Sequence, residues 1–142
     1  MKIFQRGFLP PLNNDTKPIM VSYTLFGRIC IHIFRGDVPF LHNHTFNYFT
    51  LILWGGYKET ILEDGIEIEH DRRVGWWDIR DQHVFHKTKL KTNICVTLFL
   101  KSKEKRKNFQ AIVDGELLND IAYYKKIGYS RKQIVNLIKN IK

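Results

Sequence analysis

His42 and His44 flank a single asparagine in the stretch Gly36-Asp-Val-Pro-Phe-Leu-His42-Asn-His44. Alternate side chains of an extended chain point to the same side. Both imidazoles can therefore enter one interior and share one metal ion. A third histidine, His86, follows 42 residues after His44. Three neutral imidazoles form a nitrogen donor set of the kind that holds divalent transition metals and leaves coordination positions open for water, oxygen or a substrate. Two glycines frame the pair, Gly36 six residues before His42 and Gly55 eleven after His44.

Strands must position these groups. Met20 to Phe26 and Arg28 to Phe34 are rich in β-branched and aromatic residues and end at Gly27 and near Gly36. Phe46 to Trp54 is almost continuously apolar, the pattern of a strand buried on both faces, and Gly55-Gly56 breaks it. Tyr57 to Leu62 and Ile66 to Glu69 meet through Glu63-Asp64-Gly65, and Asp-Gly between alternating runs predicts a hairpin with the isoleucines facing in and the glutamates out. Val74 to Ile79, Val84 to Lys89 and Asn93 to Leu100 complete a series of short antiparallel strands. That series reads as a mainly β chain, a sandwich or barrel. Pro10-Pro11, Asn13-Asn14-Asp15 and Pro18 mark residues 1–19 as an irregular arm. Residues 20–100 are the barrel, and 101–142 a basic linker with a helical hairpin. The hairpin's first helix would run over Glu116–Ile127 and its second from the N-cap Ser130, with Ile134, Leu137, Ile138 and Ile141 on one face.

At 142 residues the chain is of single-domain size, and its ten Phe, six Tyr and three Trp supply a core. Cys30 and Cys95 lie in β-branched, apolar settings and read as buried strand residues, not as a disulfide framework. The longest apolar run, Phe49 to Trp54, is too short to cross a membrane, and no secretory pattern opens the chain, so a cytoplasmic protein is expected. The net charge is +9. Residues 1–100 carry 12 basic against 10 acidic groups, whereas 101–142 carry 11 against 4, so the excess sits in the tail. Tyr124, Gly128, Ile134 and Leu137 can be laid on a helix-turn-helix frame presenting Arg131, Lys132, Gln133 and Asn136. A nucleic-acid-binding role through the basic hairpin is thus one alternative; a helical hairpin packed on the barrel is the other.

Gly36, His42, His44 and Gly55 fall in register with the first motif of the cupin superfamily, Gly-x5-His-x-His-x3/4-Glu-x6-Gly, which the chain resembles. Gly75 and His86 match the spacing of the second motif, with Asp81, His83 and Leu90 standing where Pro, Gly and Asn are usual. The resemblance covers about Met20 to Leu100. Within it the run His42 to Tyr57 is similar to small cupin-like proteins of phages and bacteria, which for a phage protein would imply the host cytoplasm. It implies a double-stranded β-helix, or jelly-roll barrel, followed by the C-terminal helical hairpin. The metal ligands carried over are His42, His44 and His86. The motif's glutamate is missing: Tyr48 or Phe49 stands at its position. One divalent transition metal, iron, zinc, nickel or manganese, is then held by three histidines. It would activate oxygen or water on a small, anionic molecule. Thiol dioxygenases are the familiar cupins with such a set, and hydrolase or isomerase chemistry fits as well. His83, Tyr57 and Arg80 are the catalytic candidates, with a fourth-ligand role open for His83. Tyr48 and Lys87 could orient a substrate, and Asp78 could hydrogen-bond a ligand imidazole. Cupins often pair through their sheets, so a homodimer is the expectation by analogy. A non-catalytic ligand-binding or sequestering barrel is the rival reading.

Overall fold

The computed structural model describes residues 4–9, 18–105, 109–126 and 130. Its strands are β1 (Phe4–Leu9), β2 (Met20–Leu25), β3 (Ile29–Phe34), β4 (Val38–His42), β5 (Phe46–Trp54) and β6 (Tyr57–Glu63). They continue with β7 (Ile66–Arg72), β8 (Trp77–Arg80), β9 (His86–Leu90), β10 (Cys95–Lys105), β11 (Gln110–Val113) and β12 (Glu116–Asn119), and the short helix α1 (Asp120–Lys126) follows. Two six-stranded antiparallel sheets result, ordered β1-β2-β3-β10-β5-β8 and β12-β11-β4-β9-β6-β7. The chain is mainly β, as the strand series predicts.

Period-two alternation decides what each sheet buries. On the inner side of the first sheet Thr24, Cys30, His32, Tyr48, Thr50, Ile52, Thr97 and Phe99 are all buried. Both cysteines are free and buried, as their settings imply. Two glycines that frame the histidines do different work. Gly55 adopts φ +73° and a Cβ there would overlap the Ile94 carbonyl oxygen and the Thr92 hydroxyl, so no side chain fits. At Gly36 an added Cβ would meet Ile19 at ordinary contact distance, so that glycine is not demanded by space.

Several expectations need correction. β7 is the outermost strand of its sheet, so Ile66 and Ile68 stay 65% and 38% exposed instead of entering the core. Phe4–Leu9, assigned to an irregular arm, extends the first sheet by pairing with β2. β10 runs on to Lys105, into the basic stretch. Glu116–Asn119 is strand, not helix, because Asp114 and Gly115 both take positive φ (51° and 77°) and turn β11 back on β12 as a two-residue hairpin. Among the described residues only Asp120–Lys126 is helical, so the first arm of the helical hairpin is not supported at its expected length. The second arm, from residue 131 on, and most of the helix-turn-helix frame lie outside the described residues. No described helix is long and apolar enough to cross a membrane.

Candidate metal centre

The chain changes sheets between β4 and β5, and the His-x-His pair sits on that crossing. His42 is the last residue of β4, and His44 lies just before β5, outside any strand. The two are therefore not on one continuous strand as period two suggested. Asn43 between them, 2% exposed, holds the crossing in place. Its backbone N–H donates to the Gln110 carbonyl (3.0 Å), its Oδ1 accepts from the Gln110 N–H (2.8 Å) and its Nδ2 donates to Gln110 Oε1 (3.1 Å). His86 opens β9 and stands directly opposite His42 in the β4–β9 ladder. The three rings lie 4.7 to 5.3 Å apart between centroids. One ring nitrogen from each of His42, His44 and His86 lies within 4.8 Å of the others, a group that could hold a metal ion.

Hydrogen bonds decide which nitrogens face the centre. His42 Nδ1 is 3.0 Å from the Phe40 carbonyl oxygen and His86 Nδ1 is 2.7 Å from Glu59 Oε1. A carbonyl and a carboxylate only accept, so both Nδ1 atoms carry the proton and donate it. The Nε2 lone pairs are left for a cation. His44 Nε2 lies 2.9 Å from His86 Nε2. Two ring nitrogens this close need a shared proton or a shared cation. Removal from water lowers the His42 pKa to about 3, helped by the neighbouring His86 and opposed by the Phe40 carbonyl. Burial, then the adjacent His86 and His42 rings, holds His44 well below its usual value too. Neutral rings with free Nε2 lone pairs are the form that binds metal. The donor set fits a divalent transition cation, which bonds imidazole nitrogen at about 2.0–2.1 Å.

Behind His86 stands a group that motif reasoning missed. Glu59, on the inner face of β6 and 1% exposed, accepts from His86, from both terminal nitrogens of Arg80 (Nη2 at 3.1 Å) and from Arg72 Nε at 3.0 Å. Burial alone would raise the Glu59 carboxyl, but the His86 and Arg80 hydrogen bonds outweigh it and hold it well below the usual carboxylate range. A period-two count along Tyr57 to Leu62 with Tyr57 inward puts Glu59 inward as well, and a buried glutamate must be paired. That signal was available.

No protein-family model matches the chain, and no curated protein does. Solved structures do match in shape. The Fe(II) form of HppE aligns with a TM-score of 0.55 and 15% identity over 68% of this chain and 56% of that one. The hydroxypropylphosphonic acid epoxidase from S. wedmorenis gives 0.51 and 17% over 68% and 55%. The Drosophila melanogaster CENP-C cupin domain gives 0.51 and 12% over 65% and 74%. The fold is cupin-like. The chain spans little more than half the length of the epoxidase chains it matches.

In this cupin-like barrel the remaining candidates fall into three groups. Tyr48 occupies the position of the motif's glutamate. It points inward, its ring 4.6 Å from that of His44 and stacked on Phe99 at 4.4 Å. Its hydroxyl is buried with no hydrogen-bond partner, and burial raises its pKa despite the nearby Arg80. Arg80 is 5% exposed and donates to Glu59 and Asp78, so it supports Glu59. Asp78 therefore serves Arg80 and not an imidazole. Tyr57 packs with Ile52 and Cys95, two positions from Glu59, its pKa also raised by burial. His83 is exposed, with its backbone N–H on Asp81 Oδ1 at 2.8 Å, and is not part of the three-histidine group. Lys87 faces outward to Glu67.

Proposed function

We propose that this chain is a metal-binding cupin whose His42, His44 and His86 hold one divalent transition cation and act on a small anionic molecule. The observation that carries the reading is the convergence of one ring nitrogen from each of the three histidines within 4.8 Å, with His42 and His86 oriented by Nδ1 hydrogen bonds to Phe40 and Glu59. The fold likeness to the Fe(II) form of HppE supports it by analogy. When bound, such a cation supplies a Lewis acid and, for iron, a redox centre.

The preference for an anion follows from charge. Imidazole ligands bring no negative charge, and the buried Glu59 carboxylate is already balanced by Arg80 and Arg72. The cation's charge thus meets no compensating ligand from the protein. Phe46, Tyr48 and Phe99 line the His44 side of the centre and supply an apolar wall. The unpartnered Tyr48 hydroxyl offers a hydrogen bond to the ligand, as a buried polar group requires. A small phosphonate or carboxylate with a short apolar body satisfies all three features.

Metal analysis of the tag-free protein after reconstitution with iron or zinc tests the first half; one cation per chain is expected, and none after His86→Ala. Turnover with a panel of small phosphonates and carboxylates tests the second. Ligand-induced thermal stabilisation without turnover would favour the sequestering barrel instead.

A further inference from the structure

Lys101 continues the inward row of β10. Side chains alternate along the strand, Thr97 and Phe99 are buried, and Lys101 is the next residue on their side. The ladder with β5 sets Lys101 directly opposite Tyr48, and residues directly opposite share one face of a sheet. Tyr48 points inward, its ring 4.6 Å from that of His44. Half-buried Lys101 therefore stands on the same inner face, on the side of the centre that His44 occupies. Its backbone is clamped there: its N–H donates to the Arg28 carbonyl at 2.9 Å, and Arg28 Nε donates to its own carbonyl at 3.1 Å. The ammonium lies 5.0 Å from the centre of the Phe46 ring, and that ring packs against His44 at 5.8 Å. Its charge is felt in the interior. After burial, it is the second cause lowering the pKa of His32, whose ring packs on Phe99 at 4.7 Å. No carboxylate answers that charge. Lys58, Lys87 and Lys91 all have acidic partners, as do Arg72 and Arg80, whereas among the described residues Lys101 has none. A phenyl face attracts a cation only weakly and accepts no ordinary hydrogen bond, so the ammonium donors are left for solvent or a ligand.

We propose that Lys101 anchors a second acidic group of the ligand, so that the ligand is a short dianion, a dicarboxylate or phosphonocarboxylate, reaching from the histidine centre to the Lys101 ammonium. This rests on the reading of the centre as a metal site for a small anion and narrows its substrate class. One acidic group meets the cation held by the three histidines. The other meets Lys101, and the short body between them lies against Phe46 and Phe99, which both pack on His44. A monoanion satisfies one end and leaves the other charge uncompensated. The arrangement therefore selects by the number of acidic groups and by the distance between them. Lysine suits the outer position, since a compact ammonium on a flexible stem can follow a carboxylate or a phosphonate. Arg80, the other inward cation beside Tyr48, already serves Glu59.

Titration calorimetry at low ionic strength tests this on the full chain, both loaded with Co²⁺ and metal-free. The probes are malonate, succinate, glutarate and phosphonoacetate, with butyrate as the monoanion. The loaded parent protein should prefer the dianions, with a best chain length and an advantage that shrinks as salt is added. K101M keeps the stem over Phe46 and should lose about tenfold in dianion affinity, the worth of a hydrogen bond to a charged group. Its butyrate affinity and metal content should equal the parent's. K101R should restore most of the dianion affinity, and K89M, on the exposed outer side of β9, should change nothing. Should K101M disturb folding, K101Q reads the same loss. Parent-like dianion affinity in K101M or K101Q overturns the proposal, and so does a parent protein that binds dianions no better than butyrate. If the chain takes up no cation, the metal reading falls by itself. A dianion preference of the metal-free chain that K101M removes then still supports the Lys101 anchor, and the lack of one overturns it.

Discussion

Replacing Glu59 by Gln probes the centre without touching a ligand. The carboxylate is ringed by donors only: His86 Nδ1 at 2.7 Å, the Arg80 terminal nitrogens, and Arg72 Nε at 3.0 Å. A glutamine amide has one acceptor oxygen and one donor NH₂, so either orientation sets NH₂ against another donor. If NH₂ faces His86, the imidazole is driven to the Nε2–H tautomer and its ligating lone pair is lost. If it faces the arginines, NH₂ opposes guanidinium N–H, and in either orientation two guanidiniums lose this counter-charge, Arg80 at 5% exposure. Loss of a carboxylate behind a ligating histidine costs about 10–100-fold in metal affinity. Breaking a buried ion pair costs about 3–5 kcal/mol. Asp78 still bonds Arg80 and Arg72 still lies over the Trp76 ring at 4.2 Å, so the lower end, about 3 kcal/mol, is expected. For a chain of this size that is a loss of about 10 °C in Tm. Titration of the metal-free protein with Co²⁺, followed by visible absorption, reads the affinity, and calorimetry reads the stability. Glu69→Gln, altering an exposed pair with Lys58, is the control. Metal affinity in E59Q equal to that of the parent protein would refute the claim that Glu59 sets the His86 tautomer.

His42→Ala and His44→Ala should each abolish stoichiometric metal binding, while His83→Ala, on an exposed turn, and His32→Ala should retain it, as read by metal content after dialysis. Acid should weaken the metal-free protein through His32, whose pKa burial and then Lys101 lower to about 3. Its folded value lies below the unfolded 6.5, so the neutral ring's contribution is complete above pH 6.5 and is lost as pH falls toward 3. The slope is about 1.4 kcal/mol per pH unit. In urea titrations His32→Phe should show a shallower pH dependence over that window, and an identical slope would sink the assignment. Gly55→Ala should destabilise far more than Gly65→Ala. Both residues have positive φ, but only at Gly55 does a Cβ overlap backbone. About 1 kcal/mol is expected at Gly65, from conformation alone, and at least twice that at Gly55, by denaturant unfolding.

Much of the barrel was legible because alternation, Asp-Gly turns and motif spacing act locally. His42 and His86 meet across the β4–β9 ladder, and His44 joins them from the crossing into β5. Failures came where a strong local pattern was read with the wrong period. Leu117, Leu118, Ile121 and Tyr124 suggest a helix, yet Asp114-Gly115 carries the same turn chemistry as Asp64-Gly65, with both residues of each pair at positive φ. Weighing that turn first would have predicted β11 and β12. The edge position of β7 was not legible, since strand order is set by tertiary pairing and not by local sequence.

The missing glutamate also changes meaning once Glu59 is seen. Read from the motif alone, its absence takes a negative charge from the centre. The structure retains a buried carboxylate one imidazole away, bound to His86 and not facing the Nε2 cluster. There it fixes a tautomer but cannot neutralise a cation directly, and Arg80 and Arg72 absorb its charge. The space on β5 where the motif has glutamate is filled by Tyr48, whose buried hydroxyl stays neutral because burial raises its pKa. The two changes act in the same direction. Together they make a centre short of negative charge, with a neutral hydroxyl donor close to the ligand rings. An anion with an acceptor atom beside its charged group supplies what both lack, and Tyr48→Phe should therefore weaken anion binding while leaving metal binding intact.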